Sequence, residues 1–176
     1  MPALRHGLFL LIEKLLRWCI HPRLRARLLG LLGAHIGSNV RVYETQFFNL
    51  QQGFRHLYLA DGVHVGTGCR LDLKEVLTIG ARSTLSPGVT VLTHADPGAS
   101  QNSAMIEHYA PHAAPTAVGE DCWIGAHAVL LAGTKIGNLA VVAAGAVVTT
   151  DVPAASVVAG SPAVVKKTIV VSDRPD

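Results

Sequence analysis

The chain has few aromatic residues and little charge, although it is rich in aliphatic side chains. Phe, Trp and Tyr make up 5% of its 176 residues, whereas hydrophobic residues make up 49% and charged residues 15%. Aromatic rings usually dominate the core of an ordinary globular protein. The composition therefore favours a single domain with a narrow interior filled by Val, Ile, Leu and Ala.

Long hydrophobic runs are also missing, and the net charge is small. The apolar run from Leu8 to Ile12 is interrupted by Glu13 and Lys14, and it is too short for a membrane span or a secretory signal core. The formal charge of +3 does not by itself indicate a nucleic-acid partner. Three cysteines cannot all pair, and nothing indicates an oxidising compartment. We therefore expect a cytoplasmic protein without a nucleic-acid partner.

A six-residue period is present from Ile36 onwards and is strictest between Val118 and Pro153. Its first place is aliphatic and its fifth place is small or β-branched. The first places of the strict part are Val118, Ile124, Leu130, Ile136, Val142 and Val148, and the fifth places are Cys122, Ala128, Thr134, Ala140, Ala146 and Val152. Helices recur at about 3.6 residues and strands at about 2, so neither element alone explains the period. The pattern is typical of a parallel β-helix built from hexapeptide repeats.

This period predicts a triangular prism in which three repeats close one coil of about 18 residues. Each first residue should point to the axis, and each fifth residue should face inward beside a corner. Coils should stack at the parallel-strand spacing of about 4.8 Å. The repeats suffice for about five coils, although the pattern blurs from Phe47 to Leu57. Because Cys69 and Cys122 occupy fifth places, we interpret them as small buried side chains rather than disulfide or metal ligands.

Residues 1–34 lack the period and are predicted to form two helices, over about residues 4–20 and about residues 23–32. Pro22 near the first turn and Gly33 beyond the end mark the second helix. In one interpretation the helices cap the open edge of the first coil. In the other, their basic and leucine-rich surface makes peripheral contact with anionic lipid at the inner face of the cytoplasmic membrane. We favour the cap, and both can hold.

The stretch of residues 96–117 separates two well-patterned coils. It is rich in Pro, Ser and His, and it has no repeat. Long loops that leave a regular scaffold are usually functional or disordered, and this loop begins just after His94. We therefore expect a protruding functional loop. The predicted organisation is a helical cap at 1–34, a β-helix domain at 35–168 and a tail at 169–176.

The sequence resembles the hexapeptide-repeat acyltransferases, in particular the galactoside, maltose and polysaccharide O-acetyltransferases. The resemblance covers residues 35–168 and is strongest at 118–129, 141–153 and 159–163. It implies an all-β fold, a left-handed parallel β-helix with a short N-terminal helical segment, assembled as a homotrimer. It also implies acetyl-CoA as the acyl donor, bound between neighbouring subunits, and direct transfer without a metal.

Thr93-His94, just before the loop, resembles the catalytic histidine of this family. A sugar hydroxyl is a weak nucleophile at neutral pH, and a neutral imidazole can take its proton as it attacks a thioester. His94 is therefore the predicted general base. We interpret the chain as an acetyl-CoA-dependent O-acetyltransferase whose acceptor is a carbohydrate hydroxyl on a surface-polysaccharide precursor.

Three further residues are predicted at the acceptor site. Asp72, one coil before His94, should touch the acceptor or orient the imidazole, although a corner aspartate that bonds its own backbone explains it equally well. His108, like His112 in the same loop, should line the acceptor site or be solvated. Trp123, at the outward last place of its repeat, should flank the pantetheine or the acceptor, or pack beneath the loop.

The resemblance also assigns residues to the donor. Ala126 and Ala144 would offer backbone contacts to the pantetheine, and Thr149 matches a place near the nucleotide. Lys166 and Lys167 lie where relatives carry basic residues that face the CoA phosphates, which is a charge-assisted contact. A solvated tail is the competing interpretation of this lysine pair.

Three other functions remain open. A γ-class carbonic anhydrase shares the fold, but catalytic zinc needs three close ligands, and Ala132 occupies the place where that family has a histidine five residues after His127. A non-catalytic β-helix scaffold would not bind acyl-CoA. N-acylation of an amine, as in nucleotide-sugar relatives, usually involves an extra nucleotide-binding domain before the β-helix.

Overall fold

The computed structural model describes residues 2–97 and 103–170. Two helices, α1 (Pro2–Arg17) and α2 (Pro22–Leu31), precede a series of short strands, and a 3-10 turn (Leu50–Gln52) and a short helix α3 (Met105–His108) lie between strands. The strands are β1 (His35–Ile36), β2 (Arg41–Val42), β3 (Thr45–Phe48), β4 (Leu57–Leu59), β5 (His64–Val65), β6 (Cys69–Asp72), β7 (Leu77–Ile79), β8 (Thr84–Leu85), β9 (Thr90–Val91), β10 (His94–Ala95), β11 (His112–Ala113), β12 (Thr116–Val118), β13 (Trp123–Ile124), β14 (Val129–Leu130), β15 (Lys135–Ile136), β16 (Val141–Val142), β17 (Val147–Val148), β18 (Ser156–Ala159) and β19 (Val164–Thr168).

Most of these strands form the three parallel walls of a β-helix. Face A contains β1, β4, β7, β12 and β15; face B contains β2, β5, β8, β13, β16 and β18; face C contains β3, β6, β9, β14 and β17. Each coil adds one strand to each face, so the chain makes five coils and starts a sixth with Val152 and β18. Strand β19 then pairs antiparallel with β18. The predicted parallel β-helix of about five coils, preceded by a short helical segment, is confirmed.

The interior follows the six-residue period. Every first place and every fifth place of the strict repeats is buried, with an exposed fraction of 5% or less. Cys69 and Cys122 are buried free thiols, as predicted. Burial raises the pKa of the Cys69 thiol to about 11, as expected for a thiol packed among apolar side chains.

Glycine at the second place of a repeat allows neighbouring coils to approach closely. A Cβ on Gly119 would lie 2.4 Å from Asn138 Oδ1 and 2.8 Å from Asn138 N, and a Cβ on Gly125 would lie 2.5 Å from Ala144 N. Real Cβ atoms essentially never come this close to backbone atoms of another segment. The repeat therefore needs glycine at these places, because a larger residue would collide with the neighbouring coil at this stacking distance.

The N-terminal helices pack against strands of the first coil. Helix α1 packs on β3 and the 3-10 turn, and α2 packs on β1 and β2. The buried guanidinium of Arg25 donates hydrogen bonds to the carbonyl oxygens of Leu16, at 2.9 Å, and Val42, at 3.0 Å. Glu13, buried on α1, accepts a hydrogen bond of 3.2 Å from the N–H of Phe47. No helix in the described part of the chain has the length and hydropathy needed to cross a bilayer.

The predicted end of the loop differs from the structure. The coil resumes at Thr116, two residues inside the predicted loop, because β12 stacks on β7 in register. Part of that loop, residues 98–102, lies outside the described residues, as does most of the predicted tail, residues 171–176.

Candidate active site

Three successive coils place polar residues at one corner of the prism, where the chain passes from face C to face A. We call it the CA corner. Asn49 follows β3, Asp72 ends β6, and Thr93 and His94 follow β9. Strands β3, β6 and β9 stack in register, with Phe48 beside Asp72 and Leu71 beside Val91. Residues far apart in the sequence therefore meet, because coils stack at a separation of about 4.8 Å.

His94 and Asp72 form a hydrogen-bonded pair at this corner. The imidazole Nδ1 of His94 contacts Asp72 Oδ2. The Asp72 side chain is fully buried, whereas that of His94 is 26% exposed. A carboxylate can only accept, so Nδ1 carries the proton and Nε2 is left with a lone pair. This is the arrangement of an oriented general base.

Asp72 is held as an ionised carboxylate by its neighbours. Burial opposes its ionisation, but hydrogen bonds from Asn49, His94 and the N–H groups of Thr93 and Lys74 outweigh burial and leave its pKa below the ordinary value. The N–H of Thr93 lies 2.9 Å from Oδ2, and that of Lys74 lies 3.1 Å from Oδ1. Full burial favours the orienting role of Asp72 over direct contact with an acceptor.

Asn49 is the site residue that the sequence analysis missed. Its Nδ2 donates to Asp72 Oδ1 at 2.8 Å and lies 3.4 Å from Nδ1 of His94. Asn49 has φ 58° and ψ 48°, a left-handed conformation that asparagine tolerates better than most residues. An asparagine directly after a strand, where the repeat first blurs, was the available signal.

A cavity of about 300 Å³ opens beside His94. It is lined by Asn49, Gln51, Lys74, His94, Asp96, Pro111, His112 and Ala113. The antiparallel pair β10–β11 places His112 in this lining, because His112 is the register partner of Ala95. His108 is exposed at the end of α3 and does not line the cavity. Of the two loop histidines, the structure thus brings His112 to His94.

Trp123 lies away from this corner. It is on face B, its indole Nε1 donates a hydrogen bond of 3.0 Å to Ser86 Oγ, and its side chain is exposed. His94 lies beyond face C, so these two residues do not meet within one chain.

The residues predicted for the donor lie at other places on the prism. Ala126 and Ala144 occupy equivalent corner places of successive coils, and the N–H of Gly145 donates to the carbonyl oxygen of Ala126 at 2.9 Å. Within residues 2–97 and 103–170, no acceptor bonds the N–H of either alanine. Thr149 is exposed after β17.

Lys166 and Lys167 lie on the exposed strand β19 rather than in a tail. The register partner of Lys167 is Val157 on β18, so this lysine pair is attached to the edge of face B. Among the described residues, no three His, Cys, Asp or Glu side chains are close enough together to hold a metal ion.

Sequence comparisons identify the repeats and a group of enzymes that share them. Residues 115–150 match the family of bacterial transferase hexapeptides (six repeats). A 2,3,4,5-tetrahydropyridine-2,6-dicarboxylate N-acetyltransferase from Staphylococcus aureus is 56% identical over 57 residues, which are 32% of this chain. The chain spans 24% of the length of that relative.

Similar solved structures cover most of the chain. A hexapeptide-repeat-containing acetyltransferase from Vibrio cholerae, for which a complex with acetyl-CoA also exists, superposes with a TM-score of 0.77, 21% identity and coverage of 95% of this chain and 94% of its own. A maltose O-acetyltransferase from Clostridium difficile gives a TM-score of 0.75, 22% identity and coverage of 91% and 86%. A galactoside acetyltransferase in complex with coenzyme A gives a TM-score of 0.69 and 25% identity, with coverage of 91% of this chain and 80% of its own. The resemblance to hexapeptide-repeat acetyltransferases is thus confirmed in the repeats and in the fold.

Proposed function

We propose that this chain is an acyl-CoA-dependent acetyltransferase that O-acetylates a carbohydrate hydroxyl, with His94 as the general base. One observation carries the proposal: a partly exposed imidazole, oriented by a fully buried carboxylate, faces a polar cavity of about 300 Å³. Activated nucleophiles in acyl transfer need such a base at hydrogen-bond distance.

The proposed reaction is a direct acyl transfer in which His94 accepts a proton and then returns it. Because Asp72 fixes the proton on Nδ1, the Nε2 atom of His94 accepts the proton of the acceptor hydroxyl as its oxygen attacks the thioester carbon. The resulting imidazolium is stabilised by the Asp72 carboxylate. It then returns a proton to the departing thiolate, so His94 ends the cycle neutral. Lys74, Gln51 and His112 supply donors that suit a hydroxylated acceptor.

Acetyl-CoA is the proposed donor, as in the complexes of the Vibrio cholerae and galactoside enzymes. The N–H groups of Ala126 and Ala144 suit the amide oxygens of pantetheine, since neither bonds an acceptor within the described residues. Exposed Lys166 and Lys167 suit phosphates, and Thr149 suits the nucleotide end.

These donor residues and His94 lie on different parts of one prism, which supports a homotrimer with sites between subunits. Light scattering should give three times the mass of the chain. A monomer at micromolar concentration would remove the shared-site arrangement.

The surface-polysaccharide precursor is the proposed acceptor class, and an amine is the second candidate because the Staphylococcus aureus relative is an N-acetyltransferase. The purified protein should be incubated with acetyl-CoA and a panel of oligosaccharides, monosaccharides and amino compounds, and thiol release should be followed. Hydroxylamine cleaves an acetyl ester but not an amide, so treatment of the product distinguishes O- from N-acetylation. Failure to bind acetyl-CoA would leave the non-catalytic scaffold.

A further inference from the structure

Helix α1 has a second apolar stripe besides the one that packs on the first coil. Leu8, Leu11 and Leu15 follow one another at intervals of three or four residues, so they share one side of the helix. Trp18 continues this spacing in the turn directly after α1, where its N–H donates to the carbonyl oxygen of Leu15 at 3.1 Å. These four residues are between 55% and 83% exposed. Single exposed apolar residues are ordinary, but an aligned set on one helix face marks an interaction surface.

The inward side of the same helix is already satisfied. Leu16 and Glu13 are buried, and Phe9 and Ile12 pack against the core. Arg25 ties the end of α1 to β2 through the hydrogen bonds described above. The exposed stripe is therefore not a capping face that has come away from the coil. It is a separate surface on a helix that is anchored to the prism.

An apolar groove adjoins the stripe between the two helices. It has a volume of about 290 Å³ and is lined by Ile12, Leu15, Leu16, Cys19, Leu28, Leu31 and Leu32. Leu31 of α2 is 84% exposed at its edge. Leu8, Leu11, Leu15, Trp18 and Leu31 together form what we call the outer helix face.

Positive charges predominate around this face. Residues 1–34 contain six Arg or Lys residues, and Glu13 is their only acidic residue. Glu13 is buried and paired with Arg17, with 3.4 Å between Oε1 and Nε. Arg5, Lys14, Arg23 and Arg27 are exposed. The solvent side of the helices therefore combines apolar residues with positive charge. The one exposed carboxylate described beside it is Glu44 of the first coil, which lines a pocket with Leu11 and Trp18.

We infer that the outer helix face docks on the surface of an anionic phospholipid bilayer, with the helices lying in the headgroup region. Apolar residues with Trp on one face and Lys and Arg around it are the requirements for interfacial binding. A neutral protein partner would leave the cations without a role, and a second copy of this positively charged face would be repelled. The inference does not depend on the proposed transferase activity, because binding is measured without any substrate.

The two tryptophans of the chain provide a matched spectroscopic test, since Trp18 lies on the outer helix face and Trp123 on face B. Vesicles of equimolar phosphatidylglycerol and phosphatidylcholine should shift the emission of the Trp123→Phe variant to the blue, which reports burial of Trp18. The Trp18→Phe variant, which retains Trp123, should show no shift. Vesicles of phosphatidylcholine alone should give a weaker shift, and added salt should reverse it.

Co-sedimentation with the same vesicles tests the contribution of charge. Lys14→Gln should weaken the partition coefficient about fivefold, the effect of one charge near an anionic surface, while Lys135→Gln, an exposed lysine on the fifth coil, should leave it unchanged. Leu11→Ser should weaken partitioning without lowering the melting temperature, since Leu11 is exposed. Absence of binding to anionic vesicles at low salt would overturn the inference. So would a change in oligomeric mass for Leu11→Ser without vesicle binding, which would assign the face to a contact between copies.

Discussion

The CA corner has two forms within one molecule. In the fourth coil it is a tight turn, with Gly133 at φ 84° and a hydrogen bond of 2.8 Å from Thr134 Oγ1 to the carbonyl oxygen of Leu131. In the first coil the same corner contains a 3-10 turn, and in the third it contains the β10–β11 pair and α3. Asn49, Asp72 and His94 all lie at the corners of the first three coils.

This difference shows that the regular stack and the irregular corners have separate roles. The regular coils align strands in register, and their corners use small or left-handed residues to close. Where the corner is extended, polar side chains replace the small ones, and the stack still holds them. Thr116 N donates to Val76 O at 3.0 Å and Ala114 N donates to Thr93 O at 3.0 Å, so the coil on each side of His94 is anchored. Rigid coils thus position a site that the repeat itself does not encode.

Among changes at the extended corner, loss of the His94 imidazole should have the largest effect on turnover. We expect His94→Ala to lower turnover by about 10² to 10⁴, the usual contribution of a general base, while folding and acetyl-CoA binding persist. Steady-state kinetics and acetyl-CoA titration measure both quantities. His35→Ala, an exposed histidine on β1, is the control and should keep its activity. Turnover near that of the wild type would remove His94 from the mechanism.

Removal of the buried charge should have a smaller effect. Asp72→Asn should lower turnover by about 10- to 100-fold, because hydrogen bonds to charged groups are worth about 1.5 to 3 kcal/mol. Asp61→Asn is a matched control, since Asp61 also bonds a corner N–H, that of Ser38 at 2.6 Å, but on another corner. Equal losses in the two variants would indicate that Asp72 only holds its own backbone.

The Asp72→Asn variant also tests a predicted effect of pH on stability. The pKa of Asp72 is lowered from 3.8 in the folded protein, so its ionised form stabilises the fold above pH 3.8. This contribution is lost as the pH falls through the folded-state pKa. The Asp72→Asn variant cannot lose it, so its stability should decline less steeply below pH 3.8 than that of the wild type. Acid unfolding followed by circular dichroism measures the two curves.

The close stacking of the regular coils can be tested by a substitution at Gly119. A Cβ there would lie 2.4 Å from Asn138 Oδ1, so Gly119→Ala should push two coils apart and destabilise the protein. Overpacking of this kind typically costs about 1 to 3 kcal/mol, measurable by urea unfolding. Gly7→Ala, in α1 with nothing within 4 Å of its Cβ, should instead stabilise slightly. If Gly119→Ala unfolds at the wild-type urea concentration, the close stacking is not required.

Asn49 should give the smallest of these effects. Asn49→Gly keeps the left-handed conformation and removes only the side chain, so turnover should fall about 2- to 10-fold, the value of one hydrogen bond. Asn39→Gly is the control, because Asn39 has a similar φ of 54° at a different corner. A loss of similar size in both variants would show that backbone flexibility, and not the contact with Asp72, is responsible.

The sequence alone determined the coil, since a six-residue period leaves one inward place for an aliphatic side chain and one for a small residue. It also pointed to His94, because a histidine before a break in the repeat stands out locally. It could not place Asn49 beside Asp72, Asp72 against the imidazole of His94, or His112 rather than His108 in the cavity lining. Those outcomes depend on which corners stack and on how β10 pairs with β11. The tertiary structure decided them because contacts between coils join residues that no local pattern relates.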